Sequence, residues 1–389
     1  MTAGSLLSRR RGKPTAPEPS GGPARIPGAR RPIEDGNAPA RKRESFFDNA
    51  KFLAIVLVVL GHAWEPLIDD SRAARALYLF VYAFHMPAFI IVSGYFSRSF
   101  DGRADRLQRL ITGVVVPYIV FETAYSLFKR YIGGDADHPV SLLDPWYLTW
   151  FLIALTIWRL TAPIWRIVRW PLPLALAIAA LAGTSAIGDD LDLQRVLQFL
   201  PFFVLGLHLR PEHFALVRSW RVRLLALPVF AAAVVFAYWA APRMTAAWFY
   251  RRADAEELGV SAPVPIVMTC ATFVCALVLV AGFFSWVPGR RLWITSMGAA
   301  TMYVYLLHGF VIKGAGYAGW YDHEFVHTPQ GAVTVTLLAV ALAVLLASPP
   351  VRALFRPLVE PRMDWAFSGQ RTARRPSPAG RPDSGSTSS

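Results

Sequence analysis

The sequence predicts an all-α integral membrane protein with about ten transmembrane helices and both termini in the cytoplasm. Three observations predict it. The 389-residue chain is 54% hydrophobic and only 17% charged, with a mean hydropathy of +0.37, too apolar for a soluble globular protein. Apolar runs suited to a hydrocarbon layer about 30 Å thick recur along its length. Lysine and arginine gather in alternate connecting segments, the pattern that membrane insertion sets.

The expected spans are 52–67, 77–96, 110–128, 146–163, 171–187, 193–209, 224–242, 263–285, 293–317 and 331–351. The first is short and is expected to continue helically into its polar flank. With the N-terminus inside, the cytoplasmic segments 1–51, 97–109, 159–170, 210–223, 286–292 and 352–389 hold 31 of the 40 lysines and arginines. The opposite segments hold 7, and the last two, Arg195 and Lys313, lie within spans near their outer ends. The outer loops are acidic instead, with Asp69, Asp70, Asp135, Asp137, Asp189, Asp190, Asp192, Glu256 and Glu257. The net charge of +14 and pI near 10.2 therefore report topology in the cell membrane, not nucleic-acid binding.

One membrane domain is expected over 46–355. The flanking segments, 1–45 (with RRRGK at 9–13 and RKR at 41–43) and 356–389, are rich in Pro, Gly, Ser and Arg and are expected to be cytoplasmic and mostly disordered. No cleavable signal peptide is expected, because the first apolar run follows about fifty polar residues. Cys270 and Cys275 sit five apart within one apolar run and face different sides of a helix, so neither a disulfide nor a metal site is expected.

Chemistry is expected where ionisable groups interrupt apolar spans. In "KFLAIVLVVLGH", Lys51 and His62 are eleven residues apart, which brings both to one helix face about 16 Å apart along the axis. His62, His85 and His308 all fall in the central or outer half of their spans, at depths that allow one shared cavity. A buried histidine bonded to backbone is the plain reading of any one of them; three at related depths suit proton transfer. Glu122 is the carboxylate well inside a span, and it suits either pairing with a histidine or polar substrate or bracing the bundle through a buried hydrogen bond. Tyr305, at i, i+3 from His308, is placed to orient that imidazole.

In "FHMPAFIIVSGYFSR", Pro87 bends the helix, Gly94 suits close helix packing, and Ser93 is a candidate substrate contact with no nearby base for a nucleophile's role. Arg106 and Arg109, at i, i+3 before the third span, could clasp phosphate with Lys51 and Arg98, or simply anchor the cytoplasmic face. Trp146, Tyr147 and Trp150 read as an interfacial aromatic belt, and Asp48 as a partner of Lys51 or a helix cap.

These residues resemble the acyltransferase-3 family of integral membrane acyltransferases, over about 45–355. The family's basic residue, ten residues, then histidine reads here as Lys51-x10-His62, and its R-x-x-R before the third span as Arg106-Leu-Gln-Arg109. "FHMPAFIIVSGYF", "QFLPFFVLGLHLR" and "YLLHGF" are similar to the branch of fucose 4-O-acetylases. The resemblance implies transfer of an acyl group, usually acetyl from acetyl-CoA and without a metal, to a hydroxyl of a carbohydrate or glycosylated acceptor. It implies that His62 is essential and that Arg106 and Arg109 serve the donor. Lys51 departs from the commoner arginine and is less able to grip phosphate bidentately. No extracytoplasmic hydrolase-like domain is expected after the last span, so the membrane domain acts alone or a separate transferase completes the reaction. A rival reading is a transporter or flippase for a lipid-linked sugar, with proton-coupling histidines; the two halves show no self-similarity to support it.

Overall fold

The computed structural model describes residues 44–188 and 190–367. The arginine runs at 9–13 and 41–43, the expected disorder of 1–43 and 368–389, and Asp189 lie outside the described residues. Among the described residues there are helices and turns and no strand.

The helices, in chain order, are α1 (Ser45–Trp64), α2 (Arg72–Tyr82), α3 (His85–Ser97), α4 (Ala104–Leu110), α5 (Val116–Tyr131), α6 (Trp150–Ile167), α7 (Pro171–Ala182), α8 (Leu193–His208), α9 (Pro211–Val217), α10 (Trp220–Ala240), α11 (Ala247–Tyr250), α12 (Pro263–Trp286), α13 (Thr301–Tyr317), α14 (Pro329–Leu346) and α15 (Pro349–Val359). Six helical stretches are long and apolar enough to cross a membrane: Ser45–Leu67, Arg72–Ser97, Ala104–Tyr131, Trp220–Ala240, Pro263–Trp286 and Pro329–Leu346. A seventh arises if the bent pair Trp293–Ala299 and Thr301–Tyr317 counts as one crossing. Of the other expected spans, α7 is only 12 residues and α8 only 16, while α6 carries Arg159 and Arg166 within its 18.

Three expected spans are broken, each for a local reason. The expected helix 77–96 interrupts at Ala83–Phe84, ahead of the proline itself. Pro87 has no N–H to return to the carbonyl of Ala83, so α3 starts afresh two residues before it. The third span widens into a π-turn over Ile111–Val115, where Pro117 likewise cannot bond the carbonyl of Gly113. The expected span 293–317 turns by 82° between a 3-10 segment, Trp293–Ala299, and α13. At the C-terminus, helix continues past the expected domain boundary at 355, through Val359.

The bundle has two chemically distinct ends. Where α1 begins, Asn49 donates to the carbonyls of Pro288 (2.7 Å) and Arg290 (3.0 Å), and Arg218 stacks on Phe46. Arg98 donates to the carbonyl of Leu209 there, and Arg166 to those of Arg98 and Phe100. We call this the arginine end. Where α1 finishes lie Glu65, Asp70 with His327, and the loop 132–149; this is the histidine end. Between them, α3 and α8 touch backbone to backbone at Gly94 and Gly206. A Cβ on Gly94 would come 2.3 Å from the carbonyl of Phe203, and one on Gly206 2.3 Å from that of Ile91. Only hydrogen fits at such a crossing.

Candidate functional site

Pro66 tightens the end of α1 into a 3-10 turn, Glu65–Leu67, and this leaves His62 and Glu65 on one face. Together they border a cavity of about 530 Å³ at the histidine end. Tyr78, Tyr82, Tyr147 and Trp150 supply its aromatic wall, and Asp192, Arg195, Lys129 and Asp144 its charges.

The structure brings His62 and His308 together. Their ring centroids are 5.4 Å apart, and the ring of Tyr147 lies 4.7 Å from His62 on another side. His308 is 0% exposed. Its Nδ1 lies 2.9 Å from the carbonyl of Val304, which can only accept, so Nδ1 carries the proton and Nε2 keeps a lone pair. That Nε2 is enclosed and unbonded, as is Nδ1 of His62. A buried polar atom without a partner costs about 1–3 kcal/mol, and a polar cavity is where such a cost is met by a ligand or a proton. His85 has the same backbone anchor, donating Nδ1–H to Val81 (2.9 Å), and it borders the cavity with His62, whereas His308 lies behind His62 and does not line it, so two of the three histidines expected in one cavity reach it.

Glu122 and Tyr305 act one layer behind this surface. The oxygens of Glu122 accept from Ser126 Oγ (2.9 Å), the backbone N–H of Trp146 (2.9 Å) and Thr149 Oγ1. The hydroxyl of Tyr305 donates to the carbonyl of Leu148, not to His308. Both therefore fasten residues 146–149, the segment that presents Tyr147. Tyr147 itself sits at φ 62°, in the left-handed region. Gly309 makes room for it: a Cβ there would fall 2.8 Å from Tyr147 Cε1 and 2.4 Å from the Tyr125 hydroxyl. The sequence read as an aromatic belt, Trp146, Tyr147 and Trp150, lines the cavity instead.

Arg195 also lines the cavity; the sequence set it aside as one of two cations inside the spans. It stacks over Trp150 (4.7 Å), donates to Asp192 Oδ2 (2.9 Å) and donates to the carbonyl of Tyr250 (3.0 Å). Lys313, the other such cation, reaches over the ring of Tyr147 (4.5 Å) and toward Glu65 (4.0 Å). At the rim, Lys129 of α5 donates to Nδ1 of His138 in the loop that follows (3.1 Å); burial, and then this ammonium, hold the His138 imidazole below its ordinary range.

The candidate donor residues lie at the arginine end, away from the cavity. Lys51 pairs with Asp48 at 2.8 Å. Arg98 is engaged by the carbonyls of Tyr95 and Leu209 and stacks on Tyr95 at 3.6 Å. Arg106 donates to Ser99 Oγ (3.0 Å), and Arg109 is exposed on the same short helix. Ser93 donates to the carbonyl of Phe89 within its own helix and does not border the cavity.

The acyltransferase-3 family profile, described as an acyltransferase domain, matches residues 44–348. The chain belongs to the acyltransferase-3 family. Membership places it among the membrane acyltransferases, and the matched region contains every candidate residue from Lys51 to Lys313. The chain is also similar to the nodulation protein NolL of Sinorhizobium fredii, 28% identical over 193 residues, which cover 45% of this chain and 51% of the relative. A second similarity is to the nodulation protein NolL of Mesorhizobium japonicum, 36% identical over 88 residues, covering 20% of this chain and 24% of the relative. The chain thus spans about half the length, or less, of the curated relatives it matches. No solved structure matches it.

Proposed function

We propose that this chain is a membrane O-acyltransferase that moves an acyl group, acetyl in the simplest case, from acyl-CoA to a hydroxyl of a carbohydrate or glycosylated acceptor, with His62 as general base. The observation that carries this reading is the close pair His62 and His308, with unbonded ring nitrogens, beside a cavity walled by aromatic rings and charged groups. Aromatic faces and polar side chains together suit a ring that is apolar on its C–H face and hydroxylated at its edge.

In this reading His62 accepts the proton of the acceptor hydroxyl as its oxygen attacks the thioester carbonyl. The C–S bond then breaks, and the proton passes to the departing thiolate, releasing CoA. The ten crossings and cytoplasmic termini read from the sequence put the arginine end inside and the histidine end outside. Arg106 and Arg109, with Lys51, then receive the CoA phosphates, and the acyl arm runs along α1 over the roughly 16 Å between Lys51 and His62. Arg98, already bonded to two carbonyls, serves by shaping this end. The sugar-bearing acceptor enters from the opposite face, and a separate extracytoplasmic transferase is a partner compatible with that arrangement.

The test is turnover of acetyl-CoA labelled in the acetyl group by purified protein in nanodiscs, with candidate glycosylated acceptors. Wild type should consume the thioester, His62→Ala should lose turnover without loss of folding, and Arg106→Ala/Arg109→Ala should raise the donor KM. Full activity in His62→Ala would overturn the assignment of the base. Folded wild-type protein that neither binds nor consumes acyl-CoA would favour the transport reading.

A further inference from the structure

We propose that Glu65 is a positioning residue for His62, held to that task by Lys313 and the ring of Tyr147; the proposal rests on His62 being the base. Four side chains from three separate segments close a circuit. Glu65 Oε2 lies 3.9 Å from Nδ1 of His62 and 4.0 Å from Nζ of Lys313. The Lys313 ammonium stands 4.5 Å from the Tyr147 ring centroid, and that ring returns to His62 at 4.7 Å. Glu65 and Lys313 are its charged members, both partly exposed. A carboxylate and an ammonium beside apolar spans persist where they have work to do, or where each answers the other.

The chemistry follows from imidazole having two nitrogens and, when neutral, one proton. A carboxylate facing Nδ1 keeps the proton there and leaves Nε2 bare to receive the acceptor's proton. Once Nε2 has taken it, the ring is a cation, and the same carboxylate offsets that charge until the thiolate leaves and is protonated. Nδ1 of His62 is enclosed and has no hydrogen bond, so the position for such a partner is vacant on the imidazole side. The separation of 3.9 Å is that of a contact which shortens when substrate fills the cavity, as catalytic hydrogen bonds commonly do. Lys313 keeps Glu65 from turning away, and it sits over Tyr147 because a cation gains from the ring's negative face. Lys313 and His308 share α13, so one helix sets the imidazole beside His62 and the cation behind Glu65.

The experiment compares wild type, Glu65→Gln, Glu65→Asp and His62→Ala in acetyl-CoA turnover, with kcat and donor KM resolved across pH and melting followed in parallel. Glu65→Gln should lower kcat on the order of 10- to 100-fold with donor KM unchanged. Loss of the negative charge should also move the acid limb of its kcat profile to lower pH, and Glu65→Asp should regain much of the rate. If His62→Ala is inactive while Glu65→Gln keeps wild-type kcat and profile, Glu65 is not a positioning residue and the base assignment stands. A parallel fall in melting and rate, with the profile in place and no rescue by Glu65→Asp, overturns the proposal in favour of a structural contact. An active His62→Ala removes the base reading, and this proposal with it.

Discussion

The rings of His62 and His308 lie 5.4 Å apart, inclined at 41°, one at the end of α1 and the other midway along α13. His308 is fixed by its bond to Val304, so its unbonded Nε2 has a set direction and cannot rotate to find a partner. Replacing His308 by Gln keeps bulk and polarity but loses the ring. We expect a loss of kcat of about 10²-fold or more, the lower range for a positioned acid–base group, with the fold retained. Single-turnover acyl transfer beside circular dichroism checks both halves of that statement.

Glu122 gives a contrasting expectation. Its carboxylate accepts from Ser126, the Trp146 N–H and Thr149. Glu122→Ala leaves the Ser126 hydroxyl and the Trp146 N–H without their acceptor, of which the backbone N–H has no means of turning away, while Thr149 keeps the carbonyl of Trp146 (2.9 Å). Destabilisation of about 2–4 kcal/mol is expected. Activity should fall with the loss of the Tyr147 segment's placement and recover in part at lower temperature. Denaturant titration in detergent measures the first, and turnover at two temperatures the second.

Gly309 lets α13 approach the same segment closely. Gly309→Ala would drive its methyl to 2.6 Å from Leu148 Cδ2 and 2.4 Å from the Tyr125 hydroxyl, contacts that packed side chains cannot relieve cheaply. A cost of about 1–3 kcal/mol is expected. The larger consequence is displacement of Tyr147, read as a raised KM for the acceptor with donor KM unchanged.

The three histidines were legible in the sequence because each interrupts an apolar run, and one physical rule, the expense of an ionisable group in lipid, marks them all. The same rule applied to Arg195 and Lys313 would have found one more wall residue of the cavity and the cation that stands behind Glu65 and Tyr147; both were instead spent on counting charges between loops. Glu65 and Tyr147 carried no such signal. They belong to polar or aromatic flanks, where the bland reading is right for most residues, and only the 3-10 turn at Pro66 and the tertiary path of 146–149 turn Glu65 and Tyr147 inward. The breaks at 83–84 and 299–300 were hidden for a related reason. Hydropathy records that a stretch is apolar, not that its direction changes midway.

At the rim, His327 makes a pH-dependent contact. Nδ1 faces the Asp70 carboxylate and Nε2 donates to the carbonyl of Tyr321 (2.7 Å). Both ring nitrogens meet acceptors, so the doubly protonated ring is favoured, and the Asp70 carboxylate raises the His327 pKa above its ordinary value. The contribution to holding residues 320–328 against the α1–α2 turn is therefore fully present below about pH 6.5 and is lost as pH rises through the higher folded value. Amide hydrogen exchange of 320–328 should accelerate over that window in wild type, and the step should vanish in His327→Gln.

Glu65, Tyr147 and Arg195 at the cavity, and Lys313 against Glu65 and Tyr147, come from segments spread across more than half the sequence, and this has a consequence for biogenesis. As the chain leaves the ribosome, α1 enters the bilayer with Glu65 close behind, but His62 lacks His308, and Glu65 lacks Lys313, until α13 is made. A nascent chain halted before residue 301 thus carries His62 without His308 and Glu65 without Lys313, an incomplete site. The exposed acidic turn around Glu256 and Glu257 is the natural place to divide the gene. Two co-expressed fragments split there should remain inert apart and regain function only by reassembling in the membrane.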